Sequence, residues 1–321
     1  MKHRTPVLAA FTAAAMSLAG LAQAETTFTV LGSSGGPNAR GERGQPANLL
    51  RVNQTLTLVD AGDGVSEALA AKGVPLWSVD NLLISHLHFD HFGGLLAVLG
   101  LRFQLTANQP LQVYGPPGTE ATVAGLLQGM KPAMEAAYGM EEAKVLTPEQ
   151  LVQVHDVRDG DVIELGETTV TVAKNTHYSF VEGGEMDRKY QSLSFRFDTP
   201  DRSIVYTGDT GPSSAVAELA RGADLLVSEV IDLDAVLANI RASRPNLTPE
   251  LLKDIGGHLS THHLTPAQVG ELAATAGAKA VVLTHLVAGP TISEAQQQAW
   301  KDVIAAQFDG PVSVAQDLQD Y

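Results

Sequence analysis

The stretch Ser85-His86-Leu87-His88-Phe89-Asp90-His91 decides which fold this chain can adopt. It follows an apolar run at residues 81–84, which predicts a buried strand, and it precedes Gly93-Gly94, where a helical pattern opens. Its four metal-binding side chains are too close to bind one tetrahedral ion, because Asp90 and His91 point away from the two preceding histidines. The stretch therefore predicts two metal ions at the end of a strand, with a histidine-rich surface loop as the alternative.

The N-terminal residues 1–24 have the order of a secretory signal peptide. Lys2 and Arg4 precede a short apolar run at residues 7–21, which ends in Ala22-Gln23-Ala24. This order predicts export and cleavage after Ala24. A membrane anchor is the alternative, but the run is short for a spanning helix and polar residues interrupt it. We therefore expect a periplasmic or secreted protein with no membrane anchor after cleavage.

Composition limits both the partners and the metal ligands. Without Lys2 and Arg4 the chain has 19 basic and 36 acidic residues, so its formal charge falls from −15 to −17. An acidic chain without a dense Lys/Arg run repels phosphate backbones, which argues against long nucleic acids as partners. The sequence contains no cysteine, so nitrogen and oxygen must supply every metal ligand. Zinc is the default metal for such ligands, and iron and manganese are compatible with them.

Strand and helix patterns alternate along the chain, which is typical of an α/β protein. Two sets of hairpins, each followed by strand-helix alternation, predict two similar halves in one domain at residues 25–321. The predicted strands cover residues 27–31, 49–52, 55–59, 81–84, 111–114, 162–165, 168–172, 192–197, 203–206, 223–228 and 280–283. The predicted helices cover residues 65–72, 95–104, 119–127, 231–255 with a break near Pro245, 266–276 and 293–307.

Three irregular segments lie between these elements. The Gly-rich residues 32–37 predict a loop bordering the metal site, with a phosphate cradle as the alternative. Residues 130–149 predict an irregular helical insertion that could form a lid over the site. His155 is assigned to a polar loop and receives no role.

Three further metal-binding residues follow predicted strands, namely His177, Asp209 and His285. Each has an ordinary explanation by itself, as a loop, turn or strand-end residue. Together with the first motif they form a set of seven ligands. This set offers three histidines for one metal, two histidines and an aspartate for the other, and one aspartate to bridge.

The ordered motifs resemble the ligand series of the metallo-β-lactamase-fold hydrolases across nearly the whole mature chain; they are His86-x-His88-x-Asp90-His91, His177, Thr207-Gly208-Asp209-Thr210 and Thr284-His285-Leu286. The resemblance implies an αββα sandwich with two zinc ions at the sheet edge. It assigns His86, His88 and His177 to the first zinc. It assigns Asp90, His91 and His285 to the second, with Asp209 bridging. β-Lactamase activity is not implied, because the commonest subclass uses a cysteine that this chain lacks.

Within this superfamily the chain is similar to the ribonuclease Z branch and its exported arylsulfatase-like relatives. Glu229 resembles the glutamate that orients a catalytic histidine in that branch, and His263-Leu264-Thr265 resembles the segment that carries this histidine. Ser228 departs from the branch, which usually has histidine there. Ribonuclease Z has a long tRNA-gripping arm between the positions matching His177 and Asp209. The short segment in this chain argues against tRNA processing.

These observations predict an exported dinuclear zinc hydrolase that cleaves a small ester. Two cations sharing a water supply hydroxide at neutral pH, which is the nucleophile for such a cleavage. An aryl or alkyl sulfate ester is the first expectation, with a phosphodiester next. The alternatives are a lactone or other acyl ester, ribonuclease Z-type cleavage, and an iron-dependent oxygenase or redox protein on the same fold. The expected partner is a small-molecule ester, and a homodimer is compatible with the sequence. The predicted catalytic residues are Asp90, Glu229 and His263, the last as the acid for the leaving group.

Overall fold

The structure is a computed structural model that describes residues 25–140 and 145–321, so the predicted signal peptide lies outside the described residues. Two seven-stranded β-sheets pack face to face, and helices cover their outer faces. The architecture is the αββα sandwich that the resemblance implied, and the predicted fold class is confirmed. Within the described ranges, no helix combines the length and apolar character that crossing a membrane requires.

The first sheet contains the N-terminal strands and, at one edge, the last strand of the chain. Its strands, in order across the sheet, are β14 (Gln319–Asp320), β1 (Thr26–Gly32), β2 (Ala47–Val52), β3 (Thr55–Ala61), β4 (Asn81–Leu83), β5 (Leu111–Gly115) and β6 (Val152–Asp156). β2 and β3 form a tight antiparallel hairpin in which Asn53 adopts the left-handed φ of 53° that such turns need. The strands from β3 to β6 run parallel.

The second sheet repeats this arrangement. Its strands, in order, are β13 (Val312–Val314), β12 (Val281–Val287), β11 (Leu225–Ile231), β10 (Ser203–Tyr206), β9 (Leu193–Asp198), β8 (Thr168–Lys174) and β7 (Val162–Leu165). The first four strands along the chain pair antiparallel and the last four pair parallel. The two predicted halves are therefore present in the sheet topology.

The helices connect the strands and lie mainly outside the sheets. They are α1 (Val65–Ala71), α2 (Phe89–Phe92), α3 (Leu95–Gln104), α4 (Thr119–Ala136), α5 (Pro148–Leu151), α6 (Glu185–Lys189), α7 (Ser214–Leu219), α8 (Leu233–Ser243), α9 (Pro249–His262), α10 (Pro266–Ala276) and α11 (Glu294–Ala305). The bounds of α10 match the sequence prediction, because Thr265 and Gln268 form a capping box at its start and Gly277 ends it in the left-handed conformation.

Three apolar layers hold the sandwich together. The central layer lies between the sheets, where Phe28 and Leu50 of the first sheet meet Phe195 and Val227 of the second. One outer layer packs α1, α3 and α4 on the first sheet, and the other packs α7, α10 and α11 on the second. Because the second sheet is covered on both faces, its central parallel strands β11 and β12 are buried along nearly their whole length.

Several predicted boundaries were wrong. The strand predicted at residues 280–283 continues to Val287, so His285 lies within β12 rather than after it. The sequence analysis missed β6, β13 and β14, which are short or mostly polar strands at the sheet edges. His155 lies in β6, not in a polar loop, and its ring stacks on Tyr114 with the centroids 4.8 Å apart.

The predicted insertion at residues 130–149 is also corrected. Its first part continues α4 to Ala136, with Pro132 inside the helix, and Met130 and Met134 pack into the outer layer of the first sheet. Its last residues begin α5, while residues 141–144 lie outside the described residues. The described part of the segment is therefore a piece of the outer helical layer and not a lid.

The half-buried carboxylate of Asp224 provides a test of the sheet assembly. The Asp224 carboxylate accepts hydrogen bonds from Nζ of Lys279 at 2.6 Å and from the backbone N–H and hydroxyl of Ser203 at 2.7 and 2.9 Å. Together these contacts lower the pKa of Asp224 to about 2, and the hydrogen bond from Lys279 has the largest effect. A lowered pKa stabilises the fold above the unfolded-state value of about 3.9 and loses this effect as the pH falls toward 2.

We predict that Asp224→Asn lowers the free energy of unfolding by about 1 kcal/mol at neutral pH, a value discounted for solvent exposure. The difference from wild type should shrink as the pH falls below about 4. Urea unfolding at several pH values measures it, with exposed Asp309→Asn as the control. A difference that stays constant from neutral pH to pH 3 would contradict this role of Asp224.

Candidate metal centre

The site lies at one edge of the sandwich, where strands of both sheets end. His86 comes three residues after β4, His177 three residues after β8, and Asp209 three residues after β10. Parallel strands expose their carboxyl ends at one edge, so ligands that follow different strands meet there. The structure thereby brings together all seven residues that the sequence analysis predicted as metal ligands.

Three histidines form the first cluster. Nδ1 of His88 lies 3.0 Å from Nε2 of His86 and 3.1 Å from Nε2 of His177. Burial lowers the pKa of His86 well below its usual value and that of His177 to about 3, so both imidazoles are neutral, which is the form that binds a metal. Nδ1 of His177 lies 3.0 Å from the backbone carbonyl of His262, which leaves Nε2 free for a ligand role.

An aspartate and two histidines form the second cluster. Oδ2 of Asp90 lies 3.7 Å from Nε2 of His91 and 3.5 Å from Nε2 of His285. All three residues are buried, and their ligand atoms lie within 4.8 Å of one another. This placement fits Asp90 as a ligand, while its additional catalytic role stays a prediction.

Asp209 lies between the two clusters. Its Oδ2 is 3.9 Å from Nε2 of His86 and 3.7 Å from Nε2 of His177, on the side of the first cluster. Its Oδ1 is 3.4 Å from Nε2 of His91 and 3.2 Å from Nδ1 of His285, on the side of the second. Each oxygen thus faces one cluster, as a bridging carboxylate requires.

The polar atoms of these residues fit a pair of cations. Oδ1 of Asp209, Nε2 of His91 and Nδ1 of His285 are buried and have no hydrogen-bond partner within the described part of the chain. Buried polar atoms without a partner are costly, and cations between the clusters would satisfy them. Burial opposes ionisation of Asp209, but the neighbouring His285 and His91 outweigh it and lower the pKa of the carboxyl well below its usual range.

A buried aspartate that the sequence analysis left without a role orients this centre. Oδ2 of Asp60 lies 2.8 Å from Nδ1 of His91 and accepts hydrogen bonds from the hydroxyls of Ser85 and Tyr206, each at 2.8 Å. Oδ1 accepts from the backbone N–H of Ser85 at 2.7 Å. A carboxylate behind a ligand histidine fixes its ring and raises its basicity. The available sequence signal was an aspartate directly after a buried strand, before Gly62.

Backbone conformation places two of these side chains. Asp60 and His285 have positive φ values of 62° and 43°, and each is the extra residue at a register shift, in β2–β3 and β11–β12 respectively. Such bulges redirect a side chain. Gly208 also has positive φ, and a Cβ atom there would lie 2.8 Å from the carbonyl oxygen of Leu193, so glycine is required beside Asp209.

A glutamate–histidine pair borders the second cluster. Oε2 of Glu229 lies 2.7 Å from Nδ1 of His263, and its Oε1 accepts the backbone N–H of Thr210 at 2.6 Å. The ring of His263 lies parallel to that of His285 at 6.1 Å and 5.0 Å from that of His177. Burial lowers the pKa of His263, but the Glu229 carboxylate outweighs burial and raises it to about 9. His263 therefore carries a proton beside the cluster at neutral pH.

Comparison with known proteins gives the family. A sequence model described as "Beta-lactamase superfamily domain" matches residues 55–286. The chain belongs to the metallo-β-lactamase superfamily. Within this superfamily it is 33% identical over 293 residues to a protein named Ribonuclease Z from Mycobacterium avium (strain 104), covering 90% of this chain and 95% of that protein. The predicted resemblance to the ribonuclease Z-like branch is confirmed.

Solved structures show the same fold at lower identity. The metallo-β-lactamase fold protein YhfI from Bacillus subtilis matches with a TM-score of 0.66 and 20% identity, over 92% of this chain and 98% of that chain. Human tRNase Z, short form, matches with a TM-score of 0.59 and 20% identity, over the same shares. The chain is therefore a metallo-β-lactamase-fold hydrolase of a dinuclear metal-dependent family, and its clusters match that dependence.

Asp60 provides a test of the metal centre. We predict that Asp60→Asn lowers the affinity for one of two metal ions by about 10- to 100-fold, because His91 loses the carboxylate that orients it. Metal content after dialysis against a competing chelator measures this loss. Asp63→Asn, an exposed residue of the same turn, is the matched control and should retain both ions. Equal retention of both ions by Asp60→Asn would contradict the positioning role.

Proposed function

We propose that this protein is a dinuclear metal-dependent phosphodiesterase. The observation that carries the proposal is the Glu229–His263 pair, whose 2.7 Å contact places a proton donor beside the metal clusters. Relatives named Ribonuclease Z, which align over 90% of the chain, support phosphate-ester chemistry over the sulfate esters that the sequence analysis placed first. The sulfate ester remains the second candidate, because its sulfuryl group presents oxygens of similar geometry to the same centre.

The metal ions and the protein have separate tasks in this proposal. When bound, two metal ions supply a nucleophile from water at neutral pH and stabilise negative charge on an attacked phosphate. Asp209 holds its two oxygens toward the two clusters and so fixes their separation. Asp60 orients His91 from behind. Zinc is the proposed metal, since the ligands are histidine nitrogens and carboxylate oxygens.

His263 would act on the leaving group. Phosphodiester cleavage leaves an alkoxide, which needs a proton to depart. Glu229 fixes the imidazole through Nδ1, so Nε2 is the atom that can donate a proton toward the site. Thr210 in turn holds Glu229 in place through its backbone N–H. The proton donor is thus positioned by Glu229 within β11 and by Thr210 in the loop after β10.

The short segment between His177 and Asp209 supports a small substrate. This segment consists of a loop, the five-residue helix α6 and the β9–β10 hairpin, and it forms no projecting arm. Together with the formal charge of −15, this supports a short phosphodiester over a folded RNA. The order of residues 1–24 supports export, so we propose a periplasmic or secreted enzyme.

A substrate panel tests the proposed function. Zinc-loaded protein without residues 1–24 is assayed with bis(4-nitrophenyl) phosphate, 4-nitrophenyl sulfate, a lactone and a precursor tRNA. We expect the phosphodiester to be cleaved with the highest kcat/KM. Faster cleavage of the sulfate or the lactone would reject the proposal, and precise precursor tRNA cleavage with little activity on small diesters would support ribonuclease Z-type function instead.

The acid role of His263 has its own test. We predict that His263→Ala lowers kcat by about 100-fold or more for a diester with an alkoxide leaving group, and much less for one with a nitrophenolate, which departs without a proton. Metal content should stay at the wild-type level. His155→Ala is the control, since this histidine lies on an edge strand. An equal loss with both leaving groups would contradict the assignment.

A further inference from the structure

A cavity lies beside residues 85–91, the metal-binding loop. It has a volume of about 500 Å³ and is lined by Leu87, Gly118, Arg158, Lys189 and Tyr190, among others. Leu87 stands between the predicted ligands His86 and His88 in the sequence, so the cavity borders the loop that carries the first cluster. Pockets of a few hundred Å³ hold one small organic group. This cavity therefore has room for one nucleotide but not for a duplex.

Aromatic rings connect the cluster with this cavity. The ring of His88 lies 5.4 Å from that of Tyr178, which lies 5.4 Å from Phe180, which lies 6.5 Å from Tyr190. The Tyr178 hydroxyl accepts the backbone N–H of Leu87 at 3.2 Å, which ties the row to the metal-binding loop. Rings of this kind stack on nucleobases of any sequence.

The wall that carries these rings is held in place. The carboxylate of Asp187 pairs with Nζ of Lys174 at 2.5 Å and accepts the backbone N–H of Gly183 at 3.0 Å. Asp187 is 8% exposed, so this pairing is shielded from solvent on the carboxylate side. The loop that precedes Tyr190 is therefore fixed to β8, and its rings are positioned before any ligand binds.

The cavity has a basic rim on an acidic protein. Arg158 and Lys189 line it, and neither forms a salt bridge with an acidic group in the described residues. Nζ of Lys189 lies 5.3 Å from the centre of the Tyr190 ring, and Nη1 of Arg158 donates to the carbonyl of Arg188 at 2.9 Å. A lysine beside the ring and an arginine in the same lining suit a phosphate attached to a planar base.

An acidic residue in the same lining does not cancel this charge pattern. Asp156 uses Oδ2 to accept the backbone N–H of Gly118 at 3.0 Å and Oδ1 to accept that of Glu120 at 2.9 Å. Its carboxylate is thereby directed at the start of α4 and satisfied there. The other polar side chains of the lining are those of Thr122, Arg158, Lys189 and Tyr190.

We propose that this cavity binds one nucleotide unit of a short single-stranded substrate, with the base against Tyr190 and a phosphate at Arg158 and Lys189. The proposal rests on the proposed phosphodiesterase function and names its substrate class. The row of rings runs from Tyr190 to Tyr178 beside His88 of the first cluster, so a phosphodiester further along the same strand can reach the metal centre.

Direct binding of thymidine 3′,5′-bisphosphate tests the cavity. Isothermal titration compares wild type with Arg158→Gln/Lys189→Gln, and we expect about tenfold weaker binding for the double variant, since it loses two charged contacts. The matched control, Lys131→Gln/Arg221→Gln, removes the same charge from exposed positions elsewhere and should bind as wild type does. Wild-type affinity in the Arg158/Lys189 variant would overturn the proposal.

The stacking role of Tyr190 is measured in the same titration. Tyr190→Ala should weaken binding about tenfold, and Tyr190→Phe, which keeps the ring, should restore it. Equal binding by all three proteins would overturn the role of the ring.

Turnover distinguishes the two proposals. The ratio of kcat/KM for 5′- or 3′-phosphorylated dithymidylate to that for bis(4-nitrophenyl) phosphate should fall about tenfold in Arg158→Gln/Lys189→Gln. A ratio that does not change for either dinucleotide would overturn the cavity as a substrate site while leaving the phosphodiesterase proposal intact. If no diester is cleaved, the phosphodiesterase proposal fails, and the bisphosphate titration still decides whether the cavity binds a nucleotide.

Discussion

The buried carboxylate of Asp60 connects the metal-binding loop with the second sheet. Asp60 is 0% exposed, and its two oxygens meet Ser85 twice, His91 and the hydroxyl of Tyr206. A carboxylate in the interior is costly unless each lone pair is occupied, so these groups must keep their places. Ser85 and His91 belong to the metal-binding loop of the first sheet, and Tyr206 belongs to the second sheet. The same contacts therefore fix a metal ligand and the alignment of the two sheets.

Bulges in two strands direct side chains into the metal centre. A strand presents alternate residues to its two faces, which cannot direct several neighbouring side chains to one point at its end. Here Asp60 and His285 are the extra residues of bulges, with positive φ values that few side chains adopt. Backbone strain of this kind is kept where surrounding contacts over-determine it. Burial and the contacts of Asp90, Asp209 and Asp60 provide that constraint.

The metal centre and the adjoining cavity differ in charge from the rest of the protein. The chain is strongly acidic, yet the metal clusters would carry cations and the adjoining cavity has Arg158 and Lys189 at its rim. Local positive charge in an acidic surface attracts a small anion into one place, while a long polyanion meets repulsion over the rest of the surface. The short segment after His177 also favours a small substrate. The Lys174–Asp187 contact holds this segment to β8, and it forms no projecting arm.

The sequence by itself identified seven candidate metal ligands, because they follow predicted strands, and the αββα fold followed from their resemblance to a known superfamily. It also located Glu229 and His263, although only by resemblance. It did not show Asp60 as the residue behind His91, nor that His285 lies in a bulge, because both depend on pairing with a neighbouring strand. The Arg158, Lys189 and Tyr190 cavity was equally invisible, since its residues are separated along the chain and meet only when α4, β6 and the loop after β8 pack. Local pattern fixes which residues end a strand, whereas tertiary packing decides which side chains then face each other.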